Sequence, residues 1–500
     1  MKWINFLDIN SASFPQKIAV IDQRTNRSYT YSDLSDISNG WAVYLERSGI
    51  KKGDRIAILA SNRFEHLSLM FAAARLGAIL IPLNFRLSVG EINSILKRVQ
   101  VKILFSEGIL VHQFTGKYVD FNCFDITKIN ELSMQHVDLS LRFEATAAEL
   151  EDDILMQFTS GSTGEPKGVL MHGKMLRTNQ IETCNHWKLT SDDITMVETP
   201  FFHTGGYNVL CLPLLYLGGT VILAEKFDIQ NVLQTISGNR VSVYFGVPTM
   251  FQMMATNENF DSYDLSSIRF FVSGGAACPV DLIERYQEKN LPFKQGFGLT
   301  EVGPNCFLLG AKDSLRKVGS IGRPMSHSKV QVKNSSGELV EVGETGELMI
   351  SGDHLCRGYF NASNKFQDAC DGKYFKTGDL VQFDDEGFFF VVGRIKDMYI
   401  SGGENVYPGE VEKQLLTIDG IEDAVVVSKE SSKWGEVGHA YLQIGRDVET
   451  DFSVEGIREK LFDKLSRYKL PQSVQCLSEF PLLANGKINR AQLKEMANRN

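Results

Sequence analysis

The 500-residue sequence predicts an α/β protein with a large N-terminal domain and a small C-terminal domain. Between residues 55 and 105, continuous apolar runs alternate with a stretch of helical spacing, as buried parallel strands joined by helices require. After residue 346 the pattern changes to paired strands, and near residue 397 a charged, glycine-rich stretch interrupts it. These observations predict two doubly wound α/β subdomains plus a small β subdomain, followed by a small mobile α+β lid.

The first α/β subdomain is predicted from three apolar runs and one helix signal. Residues 56–60, 78–81 and 101–105 have the unbroken hydrophobicity of buried strands. Ser88 and Glu91 have the spacing of a capping box, which places the start of a helix between the second and third strands.

The second α/β subdomain and the β subdomain are predicted from later runs. Residues 220–224, 241–245 and 269–273 are apolar and rich in β-branched or aromatic side chains, and we assign them to the second α/β subdomain. Residues 379–383 and 388–392 flank a turn of Asp, Glu and Gly, which predicts a hairpin in the small β subdomain.

We place the domain boundary where the hydrophobic pattern stops. The prediction is a large domain over residues 1–396 and a lid over residues 397–500. In the lid we expect strands near 424–427 and 441–444, and a helix over 454–465.

Composition excludes several classes of function. A net charge of -9 argues against nucleic acid as a partner. Eight cysteines without a CxxC pair, behind a start that turns polar too early for a signal peptide, predict the reduced cytoplasm. The most apolar run, residues 69–83, is shorter than the about 20 residues that cross a bilayer, so no integral membrane segment is predicted.

A polar loop between two apolar runs carries the clearest chemistry. The stretch FTSGSTGEPKG, from Phe158 to Gly168, combines flexible glycines, hydroxyl donors and one lysine, a composition suited to binding phosphates. It is not a Walker A loop, because Pro166 precedes Lys167 and Gly168 follows it. Taken alone, such a run is more typical of a surface turn.

Five later motifs follow in order, and each has an ordinary structural explanation when it is taken alone. A lone histidine, a glycine pair, a turn aspartate or an exposed lysine usually serves folding or solubility. The motifs are FFHTGG at 201–206, SGGAA at 273–277, QGFGLTE at 295–301, KTGD at 376–379 and NGKINR at 485–490.

Together and in this order, the motifs resemble the signatures of the adenylate-forming superfamily, which includes acyl-CoA synthetases, luciferases and the adenylation domains of peptide synthetases. The resemblance spans most of the chain. Amino-acid-activating relatives carry an aspartate in the histidine motif, and its absence here indicates a substrate without an α-ammonium group.

The resemblance implies a nucleotide site. Phe297 stands where the family commonly has tyrosine, so its ring can stack on adenine but offers no hydroxyl. Glu301 would help to bind Mg²⁺. The residues implied to bind ATP are Thr159, Ser160, Gly161, Ser162, Thr163, Gly164, Lys167, Gly274, Gly275, Ala276, Phe297, Gly298, Thr300, Asp379, Arg394 and Lys487.

The resemblance also implies catalytic, acid-binding, hinge and CoA-binding residues. The implied catalytic residues are Lys487, His203, Thr300 and Glu301, and the implied acid pocket consists of His203, Gly206, Tyr207 and Phe251. Asp397 would be the hinge, while Ser401, Gly402, Gly403, Arg467 and Lys469 would contact CoA. Core packing or solvated charge is an open alternative for Tyr207, Phe251, Arg467 and Lys469.

The predicted activity is ATP-dependent conversion of a carboxylic acid, fatty or aromatic, to an acyl adenylate and then to acyl-CoA. One alternative is an acyl-AMP ligase that delivers its product to a separate acyl-carrier protein. A luciferase-like oxygenase and a non-catalytic nucleotide-binding regulator are further alternatives. ATP, Mg²⁺ and CoA are the expected small partners, and a homodimer is a candidate assembly.

Overall fold

The computed structural model describes residues 2–108, 121–128, 148–159, 166–276, 278–445, 452–483 and 487–499. The predicted phosphate-binding residues Ser160, Gly161, Ser162, Thr163 and Gly164 lie outside the described residues.

The helices, numbered in chain order through the described residues, alternate with strands in the N-terminal part of the chain. They are α1 Asn5–Ser13, α2 Tyr31–Arg47, α3 Phe64–Leu76, α4 Val89–Arg98, α5 Gly173–Trp187, α6 Thr204–Asn208, α7 Cys211–Leu217, α8 Ile229–Asn239, α9 Pro248–Ala255, α10 Val280–Glu288, α11 Ser363–Asp368, α12 Pro408–Leu415, α13 Val454–Leu461 and α14 Arg490–Arg499.

The strands become dominant after residue 293. They are β1 Ile18–Asp22, β2 Arg27–Thr30, β3 Arg55–Leu59, β4 Ile79–Pro82, β5 Ile103–Ser106, β6 Asn122–Asp125, β7 Asp153–Thr159, β8 Lys167–His172, β9 Ile194–Val197, β10 Thr220–Leu223, β11 Val243–Gly246, β12 Phe270–Ser273, β13 Phe293–Leu299, β14 Gly303–Leu309, β15 Ser320–Pro324, β16 Lys329–Lys333, β17 Gly346–Ser351, β18 Gly358–Tyr359, β19 Cys370–Asp371, β20 Tyr374–Phe383, β21 Phe389–Arg394, β22 Tyr399–Ser401, β23 Glu404–Val406, β24 Ile421–Ser431, β25 Gly435–Ile444 and β26 Ser473–Cys476.

The chain forms two compact units. Unit 1 comprises Met1–Val330 and Ile350–Phe375, and unit 2 comprises Gln331–Met349 and Lys376–Asn500. The hinge and domain boundary at residue 397 stay a prediction, and the two units are described separately below.

A seven-stranded sheet in unit 1 confirms the first predicted α/β subdomain. Its strand order is β18-β8-β7-β4-β3-β5-β6, and β3 is parallel to both β4 and β5. The predicted capping box starts α4: Ser88 Oγ accepts from the Glu91 amide at 3.3 Å, and Glu91 Oε2 accepts from the Ser88 amide at 2.9 Å. Both orphan amides are satisfied, so the helix begins where the motif indicated.

The second predicted subdomain is divided between two sheets. Strand β10 lies in a four-stranded sheet of order β2-β1-β10-β9, where it runs parallel to β1 near the N-terminus. Strands β11 and β12 instead begin the series β11-β12-β13-β14-β15. Apolar runs predict buried strands but carry no information about which strands pair, and this is the reason for the difference.

The most apolar run, residues 69–83, is divided between the core helix α3 and the strand β4. Every residue of α3 is buried, on all faces of the helix. The guanidinium of Arg75, in the last turn of α3, forms an ion pair of 2.6 Å with Asp8, which compensates the buried charge. Among the described helices, none has both the length and the hydrophobicity to span a membrane.

Unit 2 contains two sheets and confirms the predicted hairpin. Strands β20 and β21 are antiparallel, with Phe383 opposite Phe389, and the turn closes through the Gly387 amide and the Asp384 carbonyl at 2.9 Å. The order of this sheet within unit 2 is β21-β20-β17-β16. The second sheet has the order β23-β22-β25-β24, with β26 beside β25, and α12 and α13 pack on a core of its apolar residues.

Candidate active site

In unit 1 the predicted phosphate loop joins the antiparallel strands β7 and β8. Thr159 and Lys167, at the two ends of the loop, are paired across these strands. Arg98 contacts the chain on both sides of the loop. Its Nη2 donates to the Pro166 carbonyl at 2.6 Å, and its guanidinium lies 5.5 Å from the Phe158 ring centroid. The ends of the loop are therefore positioned by both strand pairing and a cation.

Tyr359 connects the loop lysine with the predicted metal-binding glutamate. Lys167 Nζ lies 4.7 Å from the centroid of the Tyr359 ring, and the Tyr359 hydroxyl donates to Glu301 Oε1 at 2.9 Å. Burial and the Glu301 carboxylate both raise the pKa of Tyr359, so the phenol stays protonated and remains a donor. A positive charge and a carboxylate are thus brought to one place, as a nucleotide phosphate with a metal ion requires.

The predicted adenine and phosphate motif ends β13 and turns into β14. Gly298 has no room for a side chain, because a β-carbon there would collide with the backbone of Gly303 and Pro304. Phe297 is half-buried, and its ring contacts Phe307 edge-on at 5.6 Å between centroids. Thr300 is half-buried at the turn that follows.

The glycine motif after β12 borders the same strand series. Gly274 is buried, and a β-carbon on it would lie 3.2 Å from the Phe245 ring. Gly275 has a φ of +85°, which favours glycine, and both Gly275 and Ala276 are exposed. The motif therefore forms a tight, accessible turn at the carboxyl end of β12.

The predicted acid pocket includes one half-buried imidazole. His203 precedes α6, and its ring centroid lies 4.5 Å from that of Phe202. Gly206 is required by close packing, since a β-carbon there would lie 2.6 Å from the Pro200 carbonyl oxygen. The half-buried Phe245 has its ring 3.0 Å from the β-carbon position of Gly205.

Tyr207 and Phe251, the other two predicted pocket residues, are fully buried in core clusters. The Tyr207 hydroxyl donates to the His66 carbonyl at 3.2 Å, and its ring centroid lies 4.2 Å from that of Phe201, with the two planes tilted by 30°. The Phe251 ring contacts Phe293 at 4.8 Å. Their assignment to the acid pocket stays a prediction, and these contacts give each a structural role.

In unit 2 two of the predicted ATP-binding residues, Asp379 and Arg394, are neighbours across the hairpin. Asp379 is 1% exposed, and its Oδ1 pairs with Arg394 Nε at 2.6 Å. Its other oxygen, Oδ2, has no hydrogen-bond partner among the described residues. Burial raises the pKa of Asp379 to about 6, although Arg394 and Lys487 oppose the shift. A buried carboxylate oxygen without a partner is suited to accept ligand hydroxyls.

The predicted catalytic lysine lies within the electrostatic field of this pair. Lys487 is exposed, yet desolvation by the surrounding groups lowers its pKa, the Arg394 charge lowers it further, and Asp379 raises it. Two backbone hydrogen bonds connect the chain on either side of Lys487. The Leu483 amide donates to the Lys487 carbonyl at 2.8 Å, and the Asn489 amide donates to the Pro481 carbonyl at 2.7 Å.

Arg490 anchors the same segment to the body of unit 2. Its Nη1 donates to the Val426 carbonyl at 3.0 Å, and its Nη2 donates to Glu412 Oε2 at 2.8 Å. Asp397, the predicted hinge, donates its amide to the Arg394 carbonyl at 3.1 Å.

The predicted CoA loop is a glycine turn between β22 and β23. Gly402 and Gly403 have φ values of +61° and +90°, and Ser401 is buried. The Gly402 amide donates to the Trp434 carbonyl at 3.0 Å, and the half-exposed indole covers Gly402 so closely that a β-carbon would lie 3.0 Å from it.

The two predicted CoA-phosphate contacts have protein neighbours of their own. Lys469 Nζ pairs with Glu410 Oε1 at 2.7 Å. The Arg467 guanidinium lies 5.3 Å from the Phe462 ring centroid. Their contact with CoA stays a prediction.

Sequence reasoning missed Tyr359, Phe245 and Arg490 as organising residues. Tyr359 lies in the two-residue strand β18, which has no periodicity to detect. Phe245 belongs to an ordinary buried run. Arg490 belongs to the lysine motif, and that motif is the one signal that could have found it.

Comparison with known proteins defines the class. The AMP-binding enzyme profile matches residues 7–360, and the profile of the AMP-binding enzyme C-terminal domain matches residues 410–487. The chain therefore belongs to the family of AMP-binding enzymes. The predicted class, an AMP-forming acyl-CoA synthetase that makes an acyl adenylate and then acyl-CoA, is confirmed.

Individual relatives cover nearly the whole chain. Feruloyl-CoA synthase of Amycolatopsis sp is 35% identical, over 93% of each chain. Long-chain-fatty-acid--CoA ligase FadD13 of Mycobacterium tuberculosis is 32% identical, over 96% of this chain and 95% of its own.

The fold is similar to that of o-succinylbenzoate CoA synthetase (MenE) from Bacillus subtilis. In complex with its acyl-adenylate intermediate, that enzyme matches with a TM-score of 0.88 and 30% identity, over 98% of both chains. Its complex with ATP and magnesium ion matches with a TM-score of 0.87 and 29% identity, over 98% of this chain and 99% of that chain.

Proposed function

We propose that this acyl-CoA synthetase activates an aromatic monocarboxylic acid. The observation that carries the proposal is the half-buried Phe245 ring, which lies against Gly205 and Gly274 at the carboxyl end of β11. An aromatic ring bordered by glycine backbone offers a flat apolar surface to a planar acid. Feruloyl-CoA synthase and o-succinylbenzoate CoA synthetase, both named for aromatic acids, are among the relatives.

A fatty acid is the second candidate. The long-chain-fatty-acid--CoA ligase relative is almost as similar, at 32% identity. Neither substrate requires an ammonium or guanidinium group in the pocket. Each has a single carboxylate, which we assign to His203, and is otherwise apolar.

We propose that the phosphates of ATP are bound by the loop between β7 and β8 together with Lys167. Glu301 fits a role in Mg²⁺ binding, because this hard cation takes one or two carboxylates plus substrate phosphate oxygens. The ion would neutralise charge on the phosphates. Tyr359 would orient the Glu301 carboxylate by its hydrogen bond of 2.9 Å. Asp379 Oδ2 would accept a ribose hydroxyl, and Phe297 would stack on adenine.

In the first half-reaction, a substrate carboxylate oxygen attacks the α-phosphorus and pyrophosphate leaves. We assign Lys487 to stabilise the negative charge that develops on the attacking and α-phosphate oxygens, since an ammonium placed there acts most strongly in the transition state. Thr300 would contact the α-phosphate, and His203 would orient the acid. The acyl adenylate then carries AMP as a good leaving group on its acyl carbon, whereas a free carboxylate has no such leaving group.

In the second half-reaction, the thiol of CoA attacks the acyl carbon and AMP leaves. We propose that the chain after Asp397 rotates between the steps, so that Lys487 withdraws and the turn at Gly402 and Gly403 approaches the pantetheine arm. Gly403 is exposed, with open space where a β-carbon would lie, which supports a path close to the backbone there.

A pyrophosphate-release screen tests the substrate. Purified enzyme would receive ATP, Mg²⁺ and, one at a time, acetate, medium and long fatty acids, and hydroxycinnamic and other aryl acids. We expect the highest kcat/KM with aryl acids. A Phe245→Ala variant should lower kcat/KM for aryl acids more than it lowers kcat/KM for a long fatty acid. Faster turnover of fatty acids by the unmodified enzyme would favour the second candidate.

The thiol acceptor is tested in the same assay by adding or omitting CoA. Aryl-CoA formation supports the proposal. Adenylate that accumulates without thioester, and is discharged only by an added acyl-carrier protein, would support the carrier-protein alternative. Absence of acid-dependent pyrophosphate release with every acid would support a nucleotide-binding regulator. Homodimer formation and a cytoplasmic location stay predictions.

A further inference from the structure

A second group of metal-ligand side chains in unit 1 consists of residues that are not assigned to ATP. Glu182 and His186 are one helical turn apart on α5, and His327 follows β15. Glu182 Oε2 lies 3.6 Å from His186 Nε2 and 3.9 Å from His327 Nδ1, and the three ligand atoms all lie within 4.8 Å of one another. Two ligands of a tetrahedral zinc ion at about 2.0–2.1 Å are separated by about 3.3 Å, so small side-chain rotations suffice.

His327 is the observation that points to a ligand. Its side chain is only 7% exposed, and neither ring nitrogen has a hydrogen-bond partner by ordinary geometry among the described residues. A buried polar group without a partner is costly, and a bound ion at Nδ1 would remove part of that cost.

His186 also presents a lone pair to the group. Its Nε2 accepts from the Ser326 amide at 3.1 Å and lies 2.9 Å from Ser326 Oγ, which donates to Glu182 Oε2 at 2.9 Å. When His186 Nε2 accepts the hydrogen bond from the Ser326 amide, it is the unprotonated nitrogen of the ring. A metal ion at Nε2 would compete with this hydrogen bond. With 30% of its side chain exposed, His186 leaves a path for ion entry.

Neighbouring groups support the geometry without being ligands. The His354 ring lies 4.4 Å from the His327 ring between centroids and packs against it edge-on. His354 Nε2 is within 3.3 Å of Ser328 Oγ, and its Nδ1 contacts the Val302 carbonyl, so both nitrogens are engaged. This packing holds the His327 ring in place.

We propose that Glu182, His186 and His327 bind one transition-metal ion of the Zn²⁺ type, with water as the fourth ligand. Two imidazoles and one carboxylate favour zinc, copper or nickel, whereas Mg²⁺ and Ca²⁺ prefer sites made of oxygen atoms. The site is distinct from the Mg²⁺ role assigned to Glu301, and its existence does not depend on the substrate of the enzyme.

Zinc binding to the full-length enzyme tests the proposal. The exposed Cys476 thiol is first replaced by serine in every protein, so that it cannot hold zinc. Chelator-treated protein is then titrated with Zn²⁺ against a chromophoric competitor. We expect one site per chain that excess Mg²⁺ does not occupy, and an affinity that falls at least about 10–100-fold in His186→Ala and in Glu182→Gln, since even outer-shell substitutions cost that much.

The matched control is Asp385→Asn, which removes a carboxylate from the other candidate cluster among the described residues, the acidic turn at 384–386. Its zinc affinity should equal that of the parent protein. Unchanged melting temperatures in chelator would show that the variants fold. Bound Co²⁺ should give the visible spectrum of a tetrahedral ion. Absence of zinc binding, or equal affinity in the parent and His186→Ala proteins, would overturn the proposal.

Discussion

Asp379 and Lys487 illustrate how the protein adjusts single charges. Asp379 is buried whereas Lys487 is exposed, and desolvation by the surrounding groups disfavours the charged form of each, so the pKa of the acid rises while that of the lysine falls. Each nevertheless stabilises the charge of the other, and Arg394 adds a direct ion pair to Asp379. The result is a charged site that a ligand with hydroxyls and phosphate can complete.

Lys487→Ala should abolish the first half-reaction. Loss of a charge that acts on the transition state is expected to reduce acid-dependent ATP/pyrophosphate exchange by at least about 100-fold. Nucleotide binding in the absence of acid should change little. The control is Lys494→Ala, which removes an exposed lysine of α14. Exchange that survives in Lys487→Ala would remove this lysine from its role.

The pH dependence of nucleoside binding should report on Asp379. Its folded pKa of about 6 lies above the ordinary value of about 3.9, so between these values the folded protein holds a proton that the unfolded chain has lost. This group therefore favours folding most at pH values below 3.9, and that contribution is lost as the pH rises through about 6.

For binding the sign is opposite, because the ionised carboxylate is the better acceptor for ribose. Adenosine affinity, measured by calorimetry, should fall about 10-fold as the pH drops from 7 to 5, the size of one charge-assisted hydrogen bond. Adenosine is used because it has no phosphate that titrates in this range. Asp379→Asn should bind weakly at both pH values. An identical pH profile in the variant would contradict the assignment.

Tyr359→Phe should show whether the hydrogen bond to Glu301 matters for Mg²⁺ binding independently of the contact with Lys167. The variant keeps the ring beneath Lys167 but removes the hydrogen bond to the carboxylate. A hydrogen bond to a charged group contributes about 1.5–3 kcal/mol, so we expect the Mg²⁺ concentration for half-maximal activity to rise about 10-fold. Tyr263→Phe serves as a control. An unchanged Mg²⁺ requirement would mean that Tyr359 does not act through Glu301.

At the scale of elements, short connections hold the functional side chains. Helix α6 has only five residues, and it follows His203 directly. The motif around Gly298 needs glycine because the turn into β14 brings backbone against its α-carbon. Close packing therefore explains the glycine at positions 206 and 298 without any ligand.

Gly206→Ala tests this packing at the acid pocket. The added methyl group would lie 2.6–2.7 Å from the carbonyl oxygens of Pro200 and Thr199, so α6 must shift. We expect a loss of about 1–3 kcal/mol in stability and a rise in KM for the acid, while adenosine affinity is retained. Gly238→Ala, on the open face of α8, should instead be neutral or stabilising. Equal effects of the two substitutions would refute the packing argument.

At the scale of the whole molecule, the two half-reactions require different protein groups. The first takes place at the α-phosphorus of ATP, and the second takes place at the acyl carbon of the adenylate. We assign Lys487 to adenylate formation and the turn at residues 401–403 to CoA. Both belong to unit 2, and both follow Asp397 in the chain. A rotation about Asp397 would let one stretch of chain present them in turn.

Asp397→Pro should restrict this rotation by fixing φ and removing the amide that donates to Arg394 at 3.1 Å. We expect one half-reaction to be lost and the other retained. Single-turnover measurements of adenylate formation, and of thioester formation from preformed adenylate, distinguish them. Asp397→Ala keeps the amide and should support both. Loss of both steps, or of neither, in the proline variant would argue against the pivot.

The sequence by itself determined the class, the order of motifs and most strands, because buried runs, capping boxes and glycine-rich turns are local physical requirements. The Ser88 and Glu91 cap and the hairpin around residue 384 were predictable for that reason. Strand partners, and the contacts of Tyr359, Phe245, Arg490 and His327, were decided only by the tertiary structure. These contacts join residues far apart in the chain, and neither periodicity nor spacing encodes which distant side chains meet.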